Sequence, residues 1–204
     1  MNRTFITVLI VIGLVAAGVA AYSLGALLRP LPELGGTGLE NPQPVSDIRL
    51  ISTEGEVTLE EYSDNWTVVF FGYTRCPDIC PITMSRLGMM YEEMGEPDNL
   101  NVLLVTVDPS FDTAQVIDNY ARNYHPAFVG LSGTQEMIDE AADRFYIAHQ
   151  QIDHHSPHHD MHGDIIHSEQ VMLVDPNGNF WRIYTPEEQV YLKQDLEYLL
   201  GSAS

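Results

Sequence analysis

Trp66-Thr-Val-Val-Phe-Phe-Gly-Tyr-Thr-Arg-Cys-Pro-Asp-Ile-Cys-Pro81 opens as a nearly continuous apolar, β-branched and aromatic run and closes on two cysteines. A run that is apolar on both faces suits a central strand of a sheet covered on both sides. From Ile79 to Met94, apolar residues recur at helical spacing (Ile82, Leu87, Met90, Met94). Asn101-Val-Leu-Leu-Val-Thr-Val107 is a second apolar run. Together these stretches predict a β-α-β unit, parallel and right-handed. Both cysteines fall at its first strand-to-helix junction, the place where ligands collect in α/β sheets.

Toward the C-terminus, two further helices are predicted near Thr113–Tyr124 and Thr134–Arg144. The apolar segments Gln170–Val174 and Phe180–Tyr184 flank Asp175-Pro-Asn-Gly-Asn179, which is a β-hairpin signal. Pro186 is expected to open a last amphipathic helix reaching Leu200, since proline is tolerated in a helix's first turn. The order β-α-β-α…β-β-α is that of a thioredoxin-like α/β sandwich.

Toward the N-terminus, Phe5 to Leu28 contains no charged residue. At about 1.5 Å per residue such a helix crosses a hydrocarbon core of about 30 Å. Arg3 and the α-amino group put the N-terminus in the cytoplasm and the rest of the chain outside. Val19-Ala20-Ala21 offers a signal-peptidase site as the rival, but the apolar run outlasts a signal core. Residues 29–47 are rich in proline and glycine and lack apolar periodicity, so they are expected to be a linker. The expected organisation is a transmembrane anchor or uncleaved signal over 1–28, that linker, and a domain over 48–204. A single-pass protein of the inner (cytoplasmic) membrane would result, its domain facing the periplasm or exterior. Lysine and arginine number 9 against 29 acids, for a net charge of -20. Such a surface repels nucleic acid and favours basic partners, although solubility explains it as well.

Cys76 and Cys80 are the only cysteines, too few for a disulfide scaffold. On a helical turn, positions i and i+4 share a face, so two sulfurs would point at one metal ion. Arg75 and the helix N-terminus are expected to lower the thiol pKa. Thiolates prefer Cu(I) or Zn, and two of them leave a metal site wanting another ligand. The candidates are His125, His149, His154, His155, His158, His159, His162 and His167. Of these, His167 directly precedes the hairpin strand, which in a thioredoxin-like sheet starts beside the active helix. Two alternatives stand: buried cysteines that only pack, and a redox-active disulfide.

Other residues carry weaker signals. Asp108 and Asp112 follow the second central strand; a turn and helix cap is preferred to support of the cysteine loop. Met84, Met89, Met90 and Met94 are expected to pack in the core. Asp78, between the cysteines, either tunes the site or faces water. His154, His155, His158, His159 and His162 form a biased tract, an auxiliary metal site or a solvated loop.

Three stretches resemble the Sco/SenC family of copper-binding assembly factors for cytochrome c oxidase. They are Phe70-Phe-Gly-Tyr-Thr-Arg-Cys-Pro-Asp-Ile-Cys-Pro81, Val107-Asp-Pro-Ser-Phe-Asp-Thr113, and His167-Ser168 ahead of the hairpin strand. The resemblance covers about Val45 to Leu200 and the N-terminal anchor. It implies a copper site made by Cys76, Cys80 and His167, serving Cu(I) and Cu(II). It implies a metallochaperone, rather than an enzyme, for the CuA centre of oxidase subunit II. Other copper chaperones or thiol reductants would be further partners. Where the family usually has Asp before this histidine, the chain has Ile166, with Asp164 nearby. The alternative function is a thiol–disulfide oxidoreductase that keeps the CuA cysteines reduced. Against it stand the Cys-x-x-x-Cys spacing and the lack of a proline between Pro157 and Pro176. A peroxidase would need one activated thiol, and a storage module would rest on the histidine tract alone.

Overall fold

Trp66–Gly72, the apolar half of the decisive stretch, is buried from Thr67 onward and forms the central strand β4. The computed structural model describes residues 12–13, 33–147 and 169–202. The chain divides into two units, Met1–Leu34 and Gly35–Ser204. Of the expected anchor Phe5–Leu28, only Ile12 and Gly13 are described, and they are helical. Among the described residues no helix is long and apolar enough to cross a membrane.

Within Gly35–Ser204 the strands are β1 (Thr37–Pro44), β2 (Arg49–Ser52), β3 (Gly55–Thr58), β4, β5 (Leu100–Thr106), β6 (Val129–Leu131), β7 (Val171–Val174) and β8 (Asn179–Tyr184). The helices are α1 (Ile79–Glu93), α2 (Ala114–Arg122), α3 (Gln135–Arg144) and α4 (Gln189–Ser202). The main sheet runs β1-β8-β7-β4-β5-β6, and β2–β3 is a separate hairpin. As predicted, β4 and β5 are parallel, in register from Trp66↔Leu100 to Gly72↔Thr106. β6 extends the parallel half, while β7, β8 and β1 complete the sheet antiparallel.

Side chains alternate across a strand, so β4 serves both layers. Val69 and Phe71 join Leu103, Val105 and Met172 in a core closed by Ile138, Ala141, Ala142 and Phe145 of α3 and its C-cap. Val68 and Phe70 face the other layer, where α1 and α2 lie. At Gly130 a Cβ would stand 2.3 Å from the backbone carbon of Ile117, so α2 crosses β6 against bare backbone. Thr113 and Thr134 cap α2 and α3 by accepting from the amides of Val116 and Met137.

Two expectations are corrected, and one element was unread. The segment 29–47 is not all linker, because Thr37–Pro44 is an edge strand paired with β8. Its signal is hidden because mostly exposed residues form it, and its register slips between Gly38 and Gln43. The hairpin β2–β3 was also unread; its strands are four residues each. The last helix starts at Gln189 rather than Pro186. Pro186 sits instead in a turn where the amide of Thr185 donates to Glu188 Oε2 and that of Gln189 to the Thr185 carbonyl.

Candidate metal centre

Strand β4 delivers the chain to the sheet's C-terminal edge, and the cysteine loop turns there into α1. Cys76 lies in the loop, before the helix, and Cys80 is the second residue of α1. The two are therefore not on consecutive turns of one helix. They meet because the loop folds back: the Cys76 amide donates to the Tyr73 carbonyl at 3.3 Å. The Cys80 amide in turn donates to Cys76 Sγ at 3.4 Å. An amide of a helix's first turn lacks an intrahelical partner, and here a sulfur takes that place. Both thiols are free and buried, Cys76 at 7% exposure and Cys80 at 0%.

The sulfur of Cys80 rests on the end of β4. A Cβ on Gly72 would stand 2.9 Å from Cys80 Sγ and 3.1 Å from Phe70 Cε1. Only a residue without a side chain leaves room for that sulfur. The expected lowering of the thiol pKa does not hold for Cys80. Burial pushes this thiol up, and that outweighs the hydrogen bond from the Tyr73 backbone. Arg75 does not offset the burial because it is spent elsewhere. Its guanidinium pairs with Asp108 Oδ2 at 2.5 Å and lies 4.2 Å over the Phe111 ring. Tyr73 carries a hydrogen bond to the Cys76 side chain; burial, then the charges of Cys76 and Cys80, push its phenol up to about 12.

Asp108 and Asp112 hold the loop from the β5 side. Asp112, fully buried, accepts from the Thr74 amide and the Thr106 hydroxyl, each at 2.9 Å, and from the Thr74 hydroxyl. Asp108 accepts from Arg75 and from Ser110 Oγ at 2.7 Å, and its own amide donates to Thr106 Oγ1. The helix cap is Thr113, as expected, but the two carboxylates support the cysteine loop, contrary to the preferred reading. Tyr73, Thr74 and Thr106 were missed. Tyr73 and Thr74 stand in the quoted motif, yet only the fold shows what they touch.

Of the methionines, Met84 and Met90 are buried as expected, whereas Met89 is 54% exposed. Asp78 occupies the N-cap of α1, makes no side-chain cap bond and faces solvent. His125 is buried against Tyr91 and Phe128, and its Nδ1 accepts from the Ala127 amide. His149, His154, His155, His158, His159, His162 and His167, with Asp164 and Ile166, lie outside the described residues. Among the described residues no group of three His, Cys, Asp or Glu side chains is placed to hold a metal ion.

Two free thiols converging at a strand-to-helix junction suit a soft metal ion such as Cu(I), and Cys76 and Cys80 would be its sulfur ligands. The comparisons agree with this frame. The family model described as SCO1/SenC matches residues 38–197. The chain is 29% identical to an SCO2-like protein of Rickettsia felis, over 99% of each chain. The apo Sco1 protein of Thermus thermophilus shares 32% identity and a TM-score of 0.70, over 86% of this chain and 100% of that one. A copper-bound structure of ScoI from Arabidopsis thaliana shares 25% identity and a TM-score of 0.65, over 83% of this chain and 99% of that one. The fold is the thioredoxin-like sandwich of these structures, and the chain belongs to the SCO1/SenC family.

Proposed function

We propose that this protein is a copper chaperone holding copper through Cys76, Cys80 and His167, and that it helps assemble the CuA centre of cytochrome c oxidase subunit II. The observation that carries the reading is the pair of free thiols at the C-terminal edge of β4, linked by the Cys80 amide. Sheet topology supports the third ligand. Val171, the first residue of β7, is paired with Phe70, so the chain enters β7 at the edge where the cysteine loop leaves β4. His167 precedes Val171 by four residues, a span of at most about 14 Å. Family membership supports both the copper and the oxidase. When bound, copper supplies a soft ion to pass on, and the chain's residues position it. Asp108 and Asp112 fix the loop, Gly72 admits the Cys80 sulfur, and burial keeps water off it.

The test is transfer. The reduced full-length chain loaded with one equivalent of Cu(I) should pass it to the copper-free soluble domain of subunit II. Cys76→Ser and Cys80→Ser should neither hold nor deliver copper. Transfer by either serine variant at the parent's level would refute the reading. The oxidoreductase alternative is the weaker one on the Cys-x-x-x-Cys spacing and on the lack of a proline between Pro157 and Pro176.

Two further parts of the reading rest on sequence. Phe5–Leu28 anchors the chain in the inner membrane with the domain outside; N-terminal sequencing of the mature protein tests it, a start at Ala21 or Tyr22 showing cleavage. His154, His155, His158, His159 and His162 capture Cu(II) or Zn(II) and raise the supply to the thiol site, as neutral imidazole suits those ions. Equal copper-loading rates in the parent and a variant with serine at all five positions would refute that role.

A further inference from the structure

Helices α1 and α4 share a surface groove on the face reached directly from the cysteine loop. Its cavity, about 370 Å³, lies within the size range of ligand sites. On α1 the exposed residues Ile82 and Met89, outside the groove's lining, flank the lining residue Arg86 along one helical stripe, and on α4 the 73% exposed Val190 precedes Lys193. Each helix thus carries an apolar residue about one turn from a basic one, but Lys193 is held by Glu93 and Glu197, so the uncompensated charge is that of Arg86 alone. Lys193 donates to Glu93 at 2.7 Å, tying α4 to α1. Leu87, Met90 and Leu192 line the groove, and none of its lining residues is acidic. In a chain of net charge -20 that lining runs against the whole surface. Arg86 runs against it further. Arg49, Arg75, Arg122, Arg144 and Lys193 all pair with acids, and Arg182 donates to backbone carbonyls. Arg86, exposed, is the one cation among the described residues with neither an ion pair nor a hydrogen bond.

We propose that this groove seats an amphipathic helix of a partner protein whose apolar stripe is flanked by carboxylates. An amphipathic helix laid into a hydrophobic groove is a recurrent recognition mode, read as apolar anchors one turn apart. The unpaired Arg86 supplies the charge that selects an acidic helix and rejects a basic one. Arg86, the first lining residue of α1, stands six residues beyond Cys80 on the same helix. The proposal does not depend on which metal the thiols hold.

The test uses the copper-free, reduced full-length chain in lipid nanodiscs and two synthetic helical peptides. They share one leucine stripe and carry either glutamate or lysine beside it. The glutamate peptide should bind one to one and slow amide hydrogen exchange in α1 and α4. Arg86→Glu should weaken that binding at least about tenfold and shift preference to the lysine peptide. Val190→Ser, which removes an apolar contact without adding charge, should weaken both peptides. These side chains are exposed, and unchanged circular dichroism would show the variants folded. The proposal is overturned if the lysine peptide binds the parent more tightly at α1 and α4. It is also overturned if Arg86→Glu leaves glutamate-peptide binding unchanged. Protection of these helices without peptide would overturn it too if it grows with protein concentration, which makes a second copy the occupant, or depends on the bilayer, which makes it lipid. Copper loading measured on the same samples separates failure of the groove from failure of the metal site.

Discussion

Asp112 has no exposed surface, yet its carboxylate is matched by the Thr74 amide and by the hydroxyls of Thr74 and Thr106. Removing it strands the buried Thr106 hydroxyl and the half-buried Thr74 amide and hydroxyl, and a stranded buried group costs about 1–3 kcal/mol. Asp112→Ala is therefore expected to lower unfolding free energy by about 3 kcal/mol in urea titration. A loss below about 1 kcal/mol would show that the loop does not lean on this carboxylate. Little of this network is visible in the sequence. Thr74 and Asp112 are 38 residues apart, and their contact exists only because β4 and β5 are parallel neighbours. The cysteines' place at the strand-to-helix junction, by contrast, was legible from the strand before them, although a folded-back loop and not a shared helical face brings them together. The pKa expectation for Cys80 failed because local rules weigh a helix N-terminus and an adjacent arginine, whereas burial is a tertiary property.

Apolar patterning located the elements that bury one or both faces. β4, β5, α2, α3 and the β7–β8 hairpin stand close to where the pattern put them, because burial on one or both faces writes itself into the sequence. β1, β2, β3 and β6 were not legible. β6 is three residues long, and β1 pairs through its backbone while most of its side chains face water. The distinction between linker and strand has a direct consequence. Deleting residues 37–44 uncovers the free edge of β8, and exposed edges pair with other chains. That variant is expected to lose thermal stability and to aggregate, as read by light scattering during melting. If it melts like the parent and stays monomeric, the segment serves only as a linker.

Over the whole molecule, several buried or half-buried acids are held in their neutral forms. Burial pushes up Cys80 from its usual 9.0, and the phenols of Tyr73, Tyr120 and Tyr184 from their usual 10.0. For Tyr184 the hydrogen bond to Asp195 at 2.9 Å adds to burial. The folded state then binds more protons than the unfolded chain once pH passes the unfolded values, so stability falls as pH rises. Below about pH 9 these groups are protonated in both states and add no slope. The urea midpoint of the reduced, metal-free protein should be unaffected by them at neutral pH and decline from about pH 9 upward. A midpoint that rises between pH 9 and 11 would contradict the burial of these groups. The assembly of the copper site is the widest-ranging claim, since it joins a loop on β4 and α1 to a segment four residues ahead of β7. It is tested most directly by X-ray absorption at the copper edge on the reduced, Cu(I)-loaded full-length chain and its His167→Ala variant. The parent should show two sulfur scatterers and one imidazole nitrogen, and the variant should keep both sulfurs and lose the imidazole. An unchanged imidazole signal in the variant, or fewer than two sulfurs in the parent, would contradict a site built from Cys76, Cys80 and His167.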